Sequence, residues 1–199
     1  MRMRLVTAIV MSLILSASLS VASPAWAGAT EEAERYRLQQ ELEKLAKRNA
    51  WPGVERTYVA LTELGLPLTL ADHLLGAQSA IQAGEMLDAL TRLQIGLSEA
   101  TPDDDPNSSY ATAKALKDGF DARYGAIQIM LGDCGPILFM PSKPFAEQER
   151  QAYMRARDKL MKGESFTGLL PAGEYKLDVY SFEVEAGQSI TPVVGKCRP

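Results

Sequence analysis

Hydrophobic positions in the first half of the chain recur with the period of an amphipathic helix. Leu38, Leu42 and Leu45 fall at i, i+4 and i+7 and form one apolar stripe. Thr30 and Thr69 are placed as helix N-caps, and glycine and proline separate the segments that follow the same period. We therefore predict five helices, over residues 30–48, 54–64, 69–83, 86–100 and 109–120.

From about residue 120 onward, the apolar residues occur in short runs separated by turn-forming residues. The predicted strands cover residues 126–130, 137–140, 166–170, 174–180, 181–185 and 189–194. One helix is predicted between the second and third strands, over residues 144–162. This change of period predicts an α+β fold, with N-terminal helical hairpins over residues 28–122 and a small β-sheet module with one helix over residues 123–199.

The first 27 residues have the pattern of a bacterial-type secretory signal peptide. Arg2 and Arg4 provide the positive start, residues 5–21 carry no charge, and Ala25-Trp26-Ala27 has the small-x-small pattern of a cleavage site. We expect cleavage after Ala27 and export to the periplasm or the extracellular space. The alternative is a transmembrane anchor, which four serines within residues 16–23 disfavour.

The composition excludes several classes of partner. Cleavage after Ala27 leaves 172 of the 199 residues and reduces the 21 basic residues to 19 against 25 acidic ones, a net charge of −6. An acidic chain without a basic cluster is not expected to bind nucleic acid or anionic lipid. No second apolar run reaches the length of a membrane span, so no span is expected after signal removal.

Two cysteines, Cys134 and Cys197, are predicted to form a disulfide. An even number of cysteines in an exported chain favours pairing. The bridge would close a loop of about 60 residues, for which the chain-entropy model gives roughly 4 kcal/mol. It would also hold a C-terminus that otherwise frays.

The helical half contains an internal repeat with a period of about 35 residues. Val54 aligns with Ala89, Tyr58 with Leu93, and the preceding helices place Leu42 and Leu45 against Ala77 and Ala80. A small residue early in the second helix lets two helices cross closely, and a large one four residues later fills the space above the crossing. The residues predicted to pack the repeat are Val54, Tyr58, Ala77, Ala80, Ala89 and Leu93.

The segment Gly84-Glu85-Met86-Leu87-Asp88-Ala89, with Leu93 and Pro102 after it, resembles the tetratricopeptide repeat. In that family a Gly-acidic turn precedes an aromatic residue, an acidic residue and an alanine, and a proline closes the unit. Here Met86 replaces the aromatic residue. The resemblance covers residues 35–102 and implies a concave helical surface for a protein or peptide partner. An unrelated bundle of helical hairpins with the same core residues is the alternative.

The C-terminal half contains Leu169-Leu170-Pro171-Ala172-Gly173-Glu174-Tyr175 and a later Ala186-Gly187 turn. A Leu-Pro-Ala-Gly-x-Tyr turn followed by a strand resembles the PEGA-type small β-modules of bacterial envelope proteins. The helix over residues 144–162 has no place in that pattern, which leaves the strand order open. Neither resemblance implies a catalytic residue.

Residues that carry chemistry are few. His73 is the only histidine, has no ligand partner at i±4, and is interpreted as a partly buried structural residue. Residues 163–168 approach a nucleophile elbow, but the closing glycine is one residue late. Residues 103–107 lack the spacing of a calcium loop and are interpreted as a solvated loop. The sequence predicts neither a cofactor site nor a metal site, and we expect that the protein is not an enzyme.

Aromatic residues of the helical half have two possible roles. At their spacings a position in the core is favoured over a position in a binding groove. The residues are Tyr36, Trp51, Tyr58, Tyr110 and Tyr124.

We expect an exported, non-enzymatic binding or scaffolding protein that uses its helical surface for a protein or peptide. The alternative is a cell-envelope glycan or small-ligand binding protein, with its pocket among the strands near Phe139, Tyr175, Tyr180 and Phe182. The β-module is expected to cap the last helices, because two repeats are too few to cover their apolar ends.

Overall fold

The computed structural model describes residues 24–132, 135–187 and 191–194, with the backbone alone for residues 24–29, 148, 191 and 194. Most of the predicted signal peptide lies outside the described residues. So do Cys134 and Cys197, and with them the predicted disulfide.

The fold is α+β, as the sequence predicts, with most helices N-terminal and small sheets after them. The helices of the described chain are α1 (Pro24–Lys47), α2 (Trp51–Glu63), α3 (Leu70–Ala83), α4 (Met86–Glu99), α5 (Ser109–Arg123) and α6 (Glu147–Leu160). The strands are β1 (Tyr124–Met130), β2 (Phe139–Pro141), β3 (Phe166–Pro171), β4 (Gly173–Leu177), β5 (Tyr180–Val184) and β6 (Thr191–Val194).

Local sequence signals account for the ends of α3. The Thr69 hydroxyl accepts a hydrogen bond from the Asp72 backbone N–H, and the Asp72 carboxylate accepts one from the Thr69 N–H at 2.9 Å. This reciprocal pair is a capping box. Gly84 ends the helix with φ 77°, the left-handed conformation in which glycine avoids the steric cost of a Cβ.

The helices pack as two hairpins, α1 with α2 and α3 with α4, and α5 packs on α4. A first hydrophobic cluster lies between α1 and α2; its buried members are Leu38, Leu42, Val54, Tyr58 and Leu61. A second cluster joins the later helices to the strands, and we call it the central cluster. Its members are Leu74, Ala77, Ala80, Met86, Ala89, Leu93, Ala113, Phe120, Tyr124, Ala152 and Leu169.

The strands form two sheets where the sequence analysis predicts one. The first has the order β3-β1-β6, with β1 antiparallel to β3 and parallel to β6. The second is antiparallel, in the order β2-β4-β5. The chain passes from one sheet to the other within residues 171–173, where Gly173 has φ 152°. Apolar residues of both sheets and of α6 pack together and form a third hydrophobic cluster.

The β-module packs directly against the helical half. Tyr124 of β1, Ala152 of α6 and Leu169 of β3 belong to the central cluster. At the end of α3, a Cβ added to Gly84 would lie 2.7 Å from the backbone oxygen of Gln151 in α6. Glu85 and Arg155 form an ion pair beside this contact. The two halves therefore share part of one core.

Within the part of the chain that the structure describes, none of the helices combines the length and the apolar character that a bilayer crossing requires.

Candidate functional site

A groove of about 360 Å³ lies between α3 and α5, beside the first residue of α2, and we call it the α3–α5 groove. The described residues that line it are Trp51, Gln78, Ile81, Gln82, Met86, Leu116, Phe120, Arg123 and Tyr124. Its volume is within the range of binding sites for small molecules or for one large side chain.

Helical spacing places the two walls of the groove. On α3, Gln78, Ile81 and Gln82 fall at i, i+3 and i+4. On α5, Leu116, Phe120 and Arg123 fall at i, i+4 and i+7. Residues at these separations project from one face of a helix. Each wall is therefore a continuous strip of side chains.

The groove has a buried aromatic floor and partly exposed sides. Phe120 and Tyr124 are buried, and their ring centroids are 5.2 Å apart. Trp51 and Leu116 are only partly buried. A ligand that covers large apolar side chains removes their surface from water, and this stabilises the complex.

Arg123 is the only charged residue among the described lining residues. Its Nε donates a hydrogen bond to the Gly119 carbonyl at 3.1 Å, and its guanidinium carbon lies 6.0 Å from the Tyr124 ring centroid. The side chain is exposed at the end of α5. Its position allows its remaining N–H groups to meet an anion at the mouth of the groove.

The aromatic residues for which the sequence leaves both core and groove open take different positions. Trp51 and Tyr124 line the α3–α5 groove. Tyr58 is buried, and Tyr36 is 66% exposed on α1. Tyr110 is partly buried and does not line the groove.

Of the other lining residues, Met86 has a predicted role, in the tetratricopeptide-like segment, and the sequence singles out none of the rest as site residues. Their helical spacing is visible within α3 and within α5, but the pairing of those two helices depends on tertiary packing. Sequence periodicity alone does not show it.

Behind α3 lies a polar network at the junction of α2, α3 and α4. Arg92 contacts the Glu55 carboxylate through two N–H···O bonds of 2.6 Å and donates to the Gly76 carbonyl at 2.7 Å. The Arg92 guanidinium carbon also lies 4.4 Å from the Tyr58 ring centroid. The hydrogen bond from Arg92 lowers the pKa of Glu55. This network joins the two hairpins and leaves the Arg92 charge paired.

His73 is buried at the same junction, 5% exposed. Its Nδ1 lies 3.0 Å from the Tyr58 hydroxyl. Burial lowers the pKa of His73, because a charged imidazolium loses its hydration there. The neighbouring Asp72 carboxylate is held by the α3 capping box and by Gln39 Nε2 at 2.7 Å. His73 therefore occupies a structural position between helices.

All six residues predicted to pack the repeat are buried: Val54, Tyr58, Ala77, Ala80, Ala89 and Leu93. Two glycines permit the closest helix approaches nearby. A Cβ on Gly76 would lie 2.4 Å from the Tyr58 ring, and one on Gly96 would lie 2.8 Å from the Cβ of His73. These contacts show that α3 packs closely on α2 and on α4.

A second cavity, of about 530 Å³, lies on the β-module. The described residues that line it are Lys143, Phe145, Ala172, Gly173, Glu174, Ser181, Phe182 and Glu183. Of the four aromatic residues predicted to surround a ligand, only Phe182 lines this cavity. Phe139 and Tyr175 are fully buried and stack on each other at 5.2 Å, and Tyr180 is 43% exposed.

The segments that resemble catalytic or metal motifs have local structural roles. In the loop before α5, the Asp103 carboxylate accepts from the Asp105 N–H and the Asp105 carboxylate from the Asn107 N–H, both at 2.9 Å. Ser165 accepts a hydrogen bond from the Leu131 N–H at 3.3 Å. The described residues contain no group of three or more His, Cys, Asp or Glu side chains arranged to hold a metal ion.

No family model, no curated protein and no solved structure matches this chain. The tetratricopeptide-like and PEGA-like resemblances stay predictions.

Proposed function

We propose that this chain is an exported, non-enzymatic binding protein that holds a segment of a protein or peptide partner in the α3–α5 groove. The observation that carries the proposal is the groove itself. It combines a buried aromatic floor, partly exposed apolar walls that include Trp51 and Leu116, and the amides of Gln78 and Gln82. Apolar surface supplies affinity, and amides satisfy the backbone groups of a bound chain.

The polar groups between the helices support binding without turnover. The Tyr58 hydroxyl lies against His73, and Arg92 is paired with Glu55 inside the helix junction. A catalytic base needs hydrogen-bond reach to a substrate in a cleft. Neither His73 nor the Glu55–Arg92 pair lines the α3–α5 groove.

A second candidate is binding of a glycan or another small ligand by the β-module. The cavity there is the larger of the two and brings Phe145 and Phe182 together with the charged Lys143, Glu174 and Glu183. Aromatic faces combined with polar groups suit a hydroxylated ligand. We favour the α3–α5 groove because three of its large apolar side chains, Trp51, Ile81 and Leu116, are partly exposed. In the β-module, by contrast, the aromatic side chains of Phe139, Tyr175 and Phe182 are buried.

Site-specific photo-crosslinking in the source cells distinguishes the two candidates. A benzophenone amino acid replaces Gln82 in the groove, Ser181 at the β cavity, or the exposed Gln94 on α4, which lines neither site. We expect a discrete protein adduct at position 82 alone. An adduct at 181 alone favours the β-module, and equal yields at 82 and 94 contradict the groove proposal.

Export rests on the pattern of residues 1–27. Intact-mass measurement of the chain recovered from the envelope or the medium is expected to give a form that begins at Gly28. Retention of residues 1–27 contradicts cleavage after Ala27.

A further inference from the structure

The charges of α5 leave one cation for a ligand. Lys114 pairs with Asp118 at 2.8 Å, and Lys117 pairs with Asp121 at 2.5 Å. In the part of the chain that the structure describes, no carboxylate lies within ion-pair distance of Arg123. This guanidinium therefore stands at the groove mouth of an otherwise acidic protein.

The other lining groups restrict the ligand further. The floor is aromatic and apolar, and its volume of about 360 Å³ accommodates one large side chain together with neighbouring backbone. Gln78 and Gln82 carry both donors and acceptors, as the alternating groups of an extended backbone require. No acidic side chain is among the described lining residues.

From this juxtaposition we propose that the groove recognises an extended peptide segment in which a large apolar side chain is flanked by Asp or Glu. The apolar side chain covers the Phe120–Tyr124 floor, and the carboxylate pairs with Arg123. This inference rests on the proposed binding function and specifies the chemistry of its partner. Charge complementarity selects the acidic segment, because Arg123 is a cation and none of the described residues that line the groove is acidic.

The first experiment pans a random dodecapeptide display library against three forms of the full chain: wild type, Arg123→Gln, and Lys114→Gln. Lys114 is the matched control, since it is an exposed cation of the same helix that does not line the groove. We expect wild type and Lys114→Gln to enrich apolar residues flanked by Asp or Glu. Arg123→Gln is expected to keep the apolar preference and lose the acidic one.

The second experiment measures affinity through Trp51, which lies in the groove wall. The chain has two tryptophans, Trp26 and Trp51. The predicted cleavage after Ala27 removes Trp26, so Trp51 is the only indole of a form that begins at Gly28. Three ligands are titrated. They are the best enriched peptide, the same peptide with Asn or Gln in place of Asp or Glu, and 3-phenylpropionate, which carries an aromatic ring and a carboxylate but no peptide backbone. We expect the analogue to bind about tenfold more weakly, the size of one charge-assisted hydrogen bond, and Arg123→Gln to remove that difference.

The possible failures have different meanings. Enriched peptides without acidic residues, or an acidic preference that survives Arg123→Gln, overturn this inference and leave the binding function intact. Phenylpropionate binding as tightly as the peptide overturns the choice of a peptide ligand. No enrichment by any form of the chain contradicts both the inference and the proposed use of the groove.

Discussion

At the scale of single residues, small side chains set how closely the helices of the two hairpins approach. Ala89 is fully buried in the central cluster, and Gly76 and Gly96 accept the Tyr58 ring and the His73 side chain at distances that exclude a Cβ. A larger side chain at such a position requires the helices to separate or the neighbours to leave their preferred rotamers.

Ala89→Leu is expected to destabilise the protein by about 1–3 kcal/mol, the usual cost of overpacking a core. Urea unfolding followed by circular dichroism measures the free energy of unfolding. Ala115→Leu is the control, because Ala115 is an exposed alanine of α5 and leucine is nearly as good a helix former. Equal stabilities of Ala89→Leu and wild type contradict the predicted tetratricopeptide-like register.

The buried histidine makes stability depend on pH. Burial lowers the pKa of His73 from 6.5, so His73 takes up a proton at a lower pH in the folded protein than in the unfolded chain. Its contribution is therefore complete above pH 6.5 and is lost as the pH falls below that value. Glu55, whose pKa Arg92 lowers from 4.5, adds a further loss of the same sign at more acidic pH.

We expect the free energy of unfolding to fall as the pH is lowered below 6.5, and His73→Gln to flatten the part of the fall that lies above pH 4.5. Glutamine keeps a polar partner for the Tyr58 hydroxyl but does not titrate. Urea titrations across this range measure the effect. A variant as pH-sensitive as wild type above pH 4.5 contradicts the assignment to His73.

At the scale of elements, the sequence is most informative where one short segment carries both start and stop signals. Thr69 and Gly84 bound α3 in the sequence and in the structure, because capping and the left-handed glycine are local effects. The parallel pairing of β1 with β6 and the division into two sheets join distant segments, and local patterns do not determine them.

The same limit applies to the candidate site. The buried positions of Tyr58 and Ala89 follow from the repeat spacing. Glu55 and Arg92, in contrast, are 37 residues apart in the sequence, and Trp51 and Arg123 line one groove only through the packing of three helices. The ionic and lining contacts therefore follow from tertiary packing. The apolar periodicity that predicts each helix contains no information on which polar residues face one another.

Gly84 tests the contact between α3 and α6. Gly84 and Gly65 both have positive φ, 77° and 67°, but only Gly84 has backbone atoms of another element within reach of a Cβ. Gly65→Ala is therefore expected to cost about 1 kcal/mol of backbone strain. Gly84→Ala introduces the same backbone strain and also displaces Gln151 of α6. Its loss in the free energy of unfolding is therefore expected to be at least 1 kcal/mol larger. Chemical denaturation of both variants measures the difference, and equal losses contradict a tight α3–α6 contact.

At the scale of the whole molecule, the central cluster makes the helical half and the β-module dependent on each other. Tyr124, Ala152 and Leu169 bury their side chains among residues of α3, α4 and α5. Separation of the two halves would expose this shared surface to water. The β-module thus covers the end of a helical array in which the structure describes two hairpins and one further helix.

The parallel pairing of β1 and β6 bears on the predicted Cys134–Cys197 disulfide. Met130 is paired with Val194, and parallel strands leave a sheet at the same edge. In the sequence, Cys134 follows Met130 by four residues and Cys197 follows Val194 by three. Thiol labelling of the exported protein, denatured without reductant, is expected to give no signal, and reductant is expected to release two thiols.

Reduction of the bridge is also expected to lower the free energy of unfolding by up to about 4 kcal/mol, whereas the stability of a Cys134→Ser/Cys197→Ser variant is expected not to change with reductant. Two reactive thiols before reduction contradict the bridge.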